Sequence, residues 1–277
     1  FSYATAAALL FQKFLLPLLA SAHHGQGLVE GDSAYFHTVA VDLAERIRLH
    51  GWTQWTVYPG EGATGNVALL AALYVLFGED PSLLVPINAV IHALSGTMLF
   101  LIGRLLWPGR VGTAAGMISG VLYIIFPSAL NWYGQVHKDG FAIAGTILVL
   151  AAWVIAEVKR LDLRQTAIAL TTALAGLALI VFVRPYNLLM VLGGVLVMLT
   201  ITLATVWKDY GSVEYRRSLA LQLALTALVS AVAYMAPRIG ADEHKYSAWN
   251  RSSWTSSQVK WQWQPTYWAP QIVERYV

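Results

Sequence analysis

Three short polar stretches stand out from the apolar sequence around them because their side chains could transfer protons or bind an anion. The first contains Asp32, the second contains His137, Lys138 and Asp139, and the third is centred on Arg184. A carboxylate can act as a general base, and a guanidinium can hold a phosphate through two parallel hydrogen bonds. The second stretch combines an imidazole, a base and an acid, which suits binding of phosphate or a divalent cation.

Each of these residues also has a purely structural interpretation, and at the sequence level both remain open. Asp32 or Ser33 could cap the helix that follows it, and Asp139 could do the same for the next apolar stretch. Lys138 could anchor the chain at a membrane surface. Arg184 lies between two apolar runs, where a charge usually has an anionic partner, so it could pair with a protein carboxylate or with a lipid phosphate.

Membrane helices must position these residues. Of the sequence, 57% is hydrophobic and 12% is charged, whereas a soluble domain carries about 25% charged residues. The sequence therefore predicts an all-α integral membrane protein with about seven transmembrane helices. Its predicted spans are Tyr3–Ala20, Leu83–Leu106, Thr113–Pro127, Gly140–Val158, Thr166–Val183, Asn187–Trp207 and Leu219–Ala236. Cysteine is absent, which excludes disulfides and thiolate metal sites.

Two further helices are predicted in the long first outer loop, residues 21–82. The run Asn66–Phe77 would reach only about 18 Å as a helix, too short to span, so we expect it to be interfacial or re-entrant. An amphipathic helix precedes it and should lie flat at the interface. Its apolar face is formed by residues three or four apart, namely Phe36, Val39, Ala40, Leu43 and Ile47.

Lysine and arginine predict the orientation, because they concentrate in cytoplasmic loops. Three loops on one side carry Arg104, Arg110, Lys159, Arg160, Arg164, Lys208, Arg216 and Arg217. The N-terminus should therefore be cytoplasmic, and the loops with Asp32, Asp139 and Arg184 should share the outer face. Glycines repeat every four residues at Gly112, Gly116 and Gly120, which predicts a close helix–helix contact.

Two regions are expected along the chain. Residues 1–236 form the transmembrane module, and residues 237–277 form an aromatic-rich tail on the outer face. Eight of the eleven tryptophans lie in the outer segments, and tryptophan favours the headgroup level, so the tail should lie on the membrane. Because the sequence begins at Phe1, we expect it to lack its native N-terminus, and the tail could be the start of a missing region.

The order of these features resembles the GT-C superfamily of polyprenyl-phosphate-dependent glycosyltransferases, with protein-mannosyltransferase-like and aminoarabinose-transferase-like bacterial enzymes as the nearest types. The resemblance runs from the first span to about Tyr186. It rests on Gly31-Asp32-Ser33 before the flat helix, Gly65-Asn66-Val67-Ala68-Leu69-Leu70, Leu76-Phe77-Gly78-Glu79-Asp80-Pro81, Asn88, Gly103-Arg104-Leu105-Leu106 and Lys138-Asp139. Members of this superfamily share a first module of about seven spans, and most continue with further spans or an outer domain.

The resemblance implies roles for six residues. Asp32 matches the acidic residue of the first loop that is taken as the catalytic base, and Glu30 is a second, weaker match. Asp139 matches the acidic residue near the lipid phosphate or a metal, so it is a candidate ligand for Mg²⁺ or Mn²⁺. Lys138 or Arg184, with His137 beside them, would bind the lipid-linked phosphate.

The implied activity is transfer of a sugar from a polyprenyl-phosphate carrier to an acceptor on the extracytoplasmic face of a bacterial inner membrane. Its partners would be the lipid-linked sugar and membrane lipids, and no nucleic acid. Two other hypotheses remain at this stage. One is a non-catalytic GT-C-like scaffold or accessory subunit, with other membrane subunits as partners. The other is a polymerase or transporter of lipid-linked polysaccharide, although we find no internal repeat of the kind that transporters show.

Overall fold

The computed structural model describes residues 1–18, 25–29, 31–60, 62–157, 162–206 and 213–236. In these ranges the chain is helical and contains no β-strand. The α-helices are α1 Ser2–Leu10, α2 Leu16–Leu18, α3 Asp32–His50, α4 Gly65–Phe77, α5 Val85–Leu106, α6 Gly109–Ile125, α7 Leu130–Tyr133, α8 Asp139–Ala156, α9 Leu163–Val183, α10 Asn187–Val206 and α11 Val213–Met235. A π-helical stretch, Phe11–Leu15, joins α1 to α2.

Five helical segments are long and apolar enough to cross a membrane: Pro81–Leu106, Asp139–Ala156, Leu163–Val183, Asn187–Ala204 and Tyr215–Met235. A sixth is obtained if α6 and the segment that contains α7, which are bent by 52° relative to each other, form one broken span. The all-helical, multi-pass prediction is confirmed at this level, whereas seven spans are not. The first predicted span corresponds to α1, the π-helical stretch and α2, and it is not among these segments. The predicted tail, residues 237–277, lies outside the described residues.

Helix α4 has 13 residues, and its shortness agrees with the prediction. It is apolar on all sides and largely buried, including Tyr74. The apolar face of α3 packs against α4, with Phe36, Leu43 and Ile47 in a shared core. The predicted face of α3 is therefore present, but it is covered by protein rather than turned toward lipid, because α4 offers an apolar surface directly beside it.

Glycines allow two pairs of helices to approach closely. Gly112, Gly116 and Gly120 are buried on α6, and a Cβ atom on Gly120 would lie 2.7 Å from the carbonyl oxygen of Gly96 on α5. The predicted close-packing face is thus confirmed. A second contact of this kind, which the sequence analysis missed, joins Gly145 on α8 to Gly176 on α9, where a Cβ on either would lie 2.6 Å from the other's carbonyl oxygen.

The helix order brings the predicted site residues to one end of the bundle. Helices α8 and α9 are consecutive and packed against each other through Gly145 and Gly176. The start of α8 therefore lies beside the end of α9, and Asp139 meets Arg184. The loop before α3 reaches the same end through contacts with the residues just before α8.

Candidate functional site

An ion pair between α8 and α9 is the centre of the candidate site. Nη2 of Arg184 lies 2.6 Å from Oδ1 of Asp139, and the two side chains are 25% and 30% exposed. The structural interpretation of Arg184, pairing with a protein carboxylate, is therefore realised. Its Nε atom is buried and has no hydrogen-bond partner in the described part of the chain. The guanidinium carbon also lies 5.9 Å from the centre of the Tyr186 ring.

His137 connects this ion pair to the start of α3. Its Nε2 atom lies 3.2 Å from Oγ of Ser33, which is buried. Burial lowers the pKa of His137, while the negative charges of Asp139 and Asp32 oppose that shift. Two positive charges lower it further, those of Arg184 and Lys138. The imidazole is consequently neutral at pH 7. Its pKa is influenced by each charged residue of the predicted site that the structure describes, namely Asp32, Lys138, Asp139 and Arg184.

Tyr186 borders the same group of charges. Burial raises the pKa of its phenol, Arg184 opposes this shift, and Asp139 and Asp32 add to it. Tyr186 was not among the predicted site residues. Its position shows that the short turn after α9 faces the start of α3 as well as the start of α8.

Asp32 is exposed and occupies the first turn of α3. The N-cap of this helix is Gly31, which has a φ of 104°, and no side chain caps the helix. Capping by Asp32 or Ser33 is therefore a wrong prediction, because Ser33 is turned toward His137. In the described ranges the Asp32 carboxylate has neither a hydrogen bond nor an ion pair.

Asp139 does not cap its helix either. It is the first residue of α8, the N-cap is Lys138, and no side-chain capping bond is formed. The carboxylate is directed to Arg184 instead. A metal-binding role has little support from the donor set, since the described residues contain no group of three His, Asp or Glu side chains that could hold a metal ion. Glu30, the second predicted carboxylate, lies outside the described residues.

Lys138 differs from its predicted role as a phosphate ligand. The side chain is 9% exposed, and its Nζ atom donates to the carbonyl oxygen of Gly62 at 2.7 Å. It also lies 5.2 Å from the centre of the Phe36 ring. The ammonium group thus fastens the loop between α3 and α4 to the loop before α8, and its charge also acts on His137.

Gln135 holds in place the segment that leads to Asp32. It was not among the predicted site residues. Its side chain is fully buried. Oε1 accepts a hydrogen bond from the backbone nitrogen of Val29 at 2.9 Å, and Nε2 donates to the carbonyl oxygen of Gly27 at 3.0 Å. Its own carbonyl oxygen accepts from Nδ2 of Asn88 at 2.9 Å. In the sequence, the signal was that Gln135 and Asn88 are polar residues among apolar ones. Their hydrogen-bond partners could not be predicted because they lie far away in the sequence.

A second polar cluster, distinct from the first, ties α3 and α4 to the residues before α5. Arg48 pairs with Glu79 at 2.5 Å and donates to the carbonyl oxygen of Tyr74 at 2.6 Å. Nδ1 of His37 lies 2.6 Å from the Tyr74 hydroxyl. Both contacts secure the C-terminal turn of α4. We interpret this cluster as structural because each group has a partner within the protein.

Two further polar residues, His92 and Lys13, have partners within the protein. His92 is stacked between Tyr123 and Tyr133, with ring centres 4.7 and 4.3 Å away. The Nζ atom of Lys13 lies 2.9 Å from Oδ1 of Asp80.

Comparison with known proteins gives no match, whether with protein-family models, with curated proteins or with solved structures. The function is therefore inferred from the site itself.

Proposed function

We propose that the protein is a GT-C-type membrane glycosyltransferase that moves a sugar from a polyprenyl-phosphate carrier to an acceptor hydroxyl on the extracytoplasmic face. The observation that supports this most is the position of Asp32. It is an exposed carboxylate without a hydrogen bond or ion pair to the described residues, and it acts electrostatically on the same His137 and Tyr186 as Asp139 and Arg184 do. A general base that must accept a proton from substrate requires this combination of access and a polar, structured surrounding.

In the proposed reaction, Asp32 removes the proton of the acceptor hydroxyl. The acceptor oxygen forms a bond to the anomeric carbon of the sugar, and the bond from that carbon to the phosphate oxygen breaks. The electron pair of the broken bond leaves with the polyprenyl phosphate, and the proton remains on Asp32 until solvent takes it. Arg184 would stabilise the charge that develops on the departing phosphate.

Asp139 has a positioning role in this mechanism. Its carboxylate uses one nitrogen of Arg184, which orients the guanidinium while other N–H groups remain for a phosphate. His137, neutral at pH 7, adds no charge of its own but holds Ser33, the neighbour of Asp32. No step in this mechanism uses a metal ion.

One observation favours the second candidate, a non-catalytic GT-C-like scaffold or accessory subunit. Asp139 already neutralises Arg184, and Lys138 is occupied by Gly62. In a scaffold both cations would serve only to hold the outer loops together. The two candidates differ in what Asp32 does, because a scaffold does not need its carboxylate.

The deciding experiment measures sugar transfer by the purified chain in lipid nanodiscs, with undecaprenyl-phosphate-linked mannose and aminoarabinose as donors. Release of undecaprenyl phosphate is the readout, and donor binding is measured in parallel. Asp32→Asn should reduce turnover by about 100-fold or more, the typical contribution of a general base, while donor binding persists. The matched control is Asp42→Asn, an exposed carboxylate on the same helix, which should behave like the wild type.

Two results would count against the proposal. Normal turnover in Asp32→Asn would remove Asp32 as the base. Donor binding without turnover in the wild-type chain, with either sugar, would favour the scaffold.

A further inference from the structure

A cavity with two arginines lies at the opposite end of the bundle from the candidate site, beside the turn between α5 and α6. Its volume is about 510 Å³, and it is lined by Arg104, Gly109, Arg110, Thr113 and Ala114. This volume is within the range of small-molecule sites. None of these residues takes part in the proposed reaction, so the cavity needs a separate explanation.

Both guanidinium groups are available to a ligand. Neither Arg104 nor Arg110 forms a hydrogen bond or an ion pair with the part of the chain that the structure describes. Arg104 contacts only an aromatic ring, with its guanidinium carbon 5.7 Å from the centre of Phe100. Two arginines that share a cavity without a carboxylate repel each other, and an anion between them would remove that repulsion. Phosphate is the anion that the planar guanidinium fork fits best.

Two glycines determine the backbone of this turn. Gly109 has a φ of 60°, a conformation that favours glycine. Gly112 lies directly against the backbone of Trp107, where no side chain would fit. The N-cap of α6 is Pro108, and no side chain caps this helix end. The Thr113 hydroxyl donates to the carbonyl oxygen of Gly109 at 3.2 Å, so it does not fill the cavity.

The residues around the cavity favour a lipid over a soluble anion as its ligand. Leu105, Leu106 and Trp107 precede it and are exposed, with Trp107 49% exposed. Val111 is also exposed, on the first turn of α6. Exposed leucine and tryptophan at the end of a spanning helix place the turn at the boundary between hydrocarbon and headgroups. Basic pockets at this depth on the cytoplasmic side bind anionic headgroups.

We propose that Arg104 and Arg110 form a binding site for the phosphate of an anionic phospholipid. The headgroup occupies the cavity, and the acyl chains lie along the exposed apolar residues that flank it. This site is independent of the proposed catalytic function and would exist in a scaffold as well.

The test measures binding of short-chain phosphatidylglycerol to the purified full chain in neutral detergent, with short-chain phosphatidylcholine and inorganic phosphate as further probes. Phosphatidylglycerol should bind wild type more tightly than either probe. The double variant Arg104→Gln/Arg110→Gln should bind it about thirtyfold more weakly, and each single variant about fivefold more weakly. The double variant should still fold, with an unfolding temperature close to that of the wild type without lipid, since neither arginine has a hydrogen bond or an ion pair in the described ranges.

Arg164→Gln is the matched control. Arg164 lies in the first turn of α9, at the same end of the bundle, and it does not line the cavity. The N-terminus of α9 is capped by Asp162, whose carboxylate accepts a hydrogen bond from the backbone nitrogen of Gln165 at 2.7 Å. Binding should be unchanged in this variant. An equal loss in Arg164→Gln would mean that the positive end of the bundle attracts lipid without a defined site. Inorganic phosphate binding as tightly as phosphatidylglycerol would overturn the assignment to a lipid.

Discussion

Nη2 of Arg184 and Oδ1 of Asp139 are 2.6 Å apart and join the end of α9 to the start of α8. The same two helices are in contact near their middle at Gly145 and Gly176. The glycine contact already aligns the two helices. The ion pair therefore fixes the rotation and the axial position of the two adjoining helix ends. Because it lies partly inside the protein, its loss should affect both stability and the geometry of the site.

The ion pair should contribute to stability as a coupled unit. Asp139→Asn and Arg184→Gln should each lower the free energy of unfolding by about 1–3 kcal/mol, between the values for exposed and for buried pairs. The double variant should lose less than the sum of the two. Unfolding in mixed micelles of increasing dodecyl sulfate content gives these free energies. Additive losses would show that the two charges do not stabilise each other.

Gly145 should not tolerate even the smallest side chain. A Cβ atom there would lie 2.6 Å from the carbonyl oxygen of Gly176 and 2.7 Å from Cγ1 of Ile180, so Gly145→Ala should separate α8 from α9 and cost about 1–3 kcal/mol. Gly193→Ala is the control, because nothing lies within 4 Å of a Cβ at that position on α10. Thermal unfolding of both variants in detergent checks the prediction, and equal stability would contradict it.

Stability should fall at acidic pH because of His137. Burial lowers the pKa of this imidazole below its ordinary value of 6.5, so between the two values the unfolded chain binds the proton more readily. The stabilisation is complete above about pH 6.5 and is lost as pH falls through the folded pKa. The unfolding temperature should thus be lower at pH 5.5 than at pH 7.5.

His137→Gln isolates this contribution. The variant should show a smaller difference between the two pH values than the wild type. The part that remains belongs to other groups, including His37, whose pKa is also lowered by burial. An unchanged difference would mean that His137 is equally protonated in the folded and unfolded chains.

Gln135 should control the order of the segment before α3. Gln135→Leu removes the two hydrogen bonds between this side chain and the backbone groups of Gly27 and Val29, at a cost of about 1–3 kcal/mol. Amide hydrogen exchange in residues 25–36 should accelerate, while exchange in α8 should not. Gln54→Leu, at an exposed position, is the control. If the segment exchanges at the wild-type rate in Gln135→Leu, another contact holds it.

Much of the helix pattern could be predicted from the sequence, because long apolar runs and their lengths are local properties. Helix α4 was predicted as a short helix of this kind, and Asn187 was predicted as the first residue of α10. The first predicted span is helical from Ser2 to Leu18, but its π-helical stretch was not predicted, because such a stretch depends on backbone hydrogen bonding and not on composition. The covering of α3 by α4 was missed, since hydrophobic periodicity identifies an apolar face but not what packs on it.

The site was predicted in part. Charge distribution and loop order were enough to bring Asp139 and Arg184 to one end of the bundle. The partners of individual side chains could not be predicted, because they depend on contacts between distant residues. Ser33 and His137, like Gln135 and Gly27, are more than a hundred positions apart. Lys138 was predicted as a phosphate ligand because the sequence around it does not indicate that its ammonium group donates to the carbonyl oxygen of Gly62.

The π-helical stretch Phe11–Leu15 gives the start of the chain one place where its length can change at little cost. A π-helical turn holds one residue more than an α-helical turn, so deleting one residue there would leave a regular α-helix, and the segments on either side would keep their orientation. Ala4 and Ala8 would stay buried against the helices beside them. A single-residue deletion between Leu9 and Phe11 would instead turn everything before it by about 100°. Natural variants should therefore carry single-residue deletions within this stretch more often than in the α-helix that precedes it.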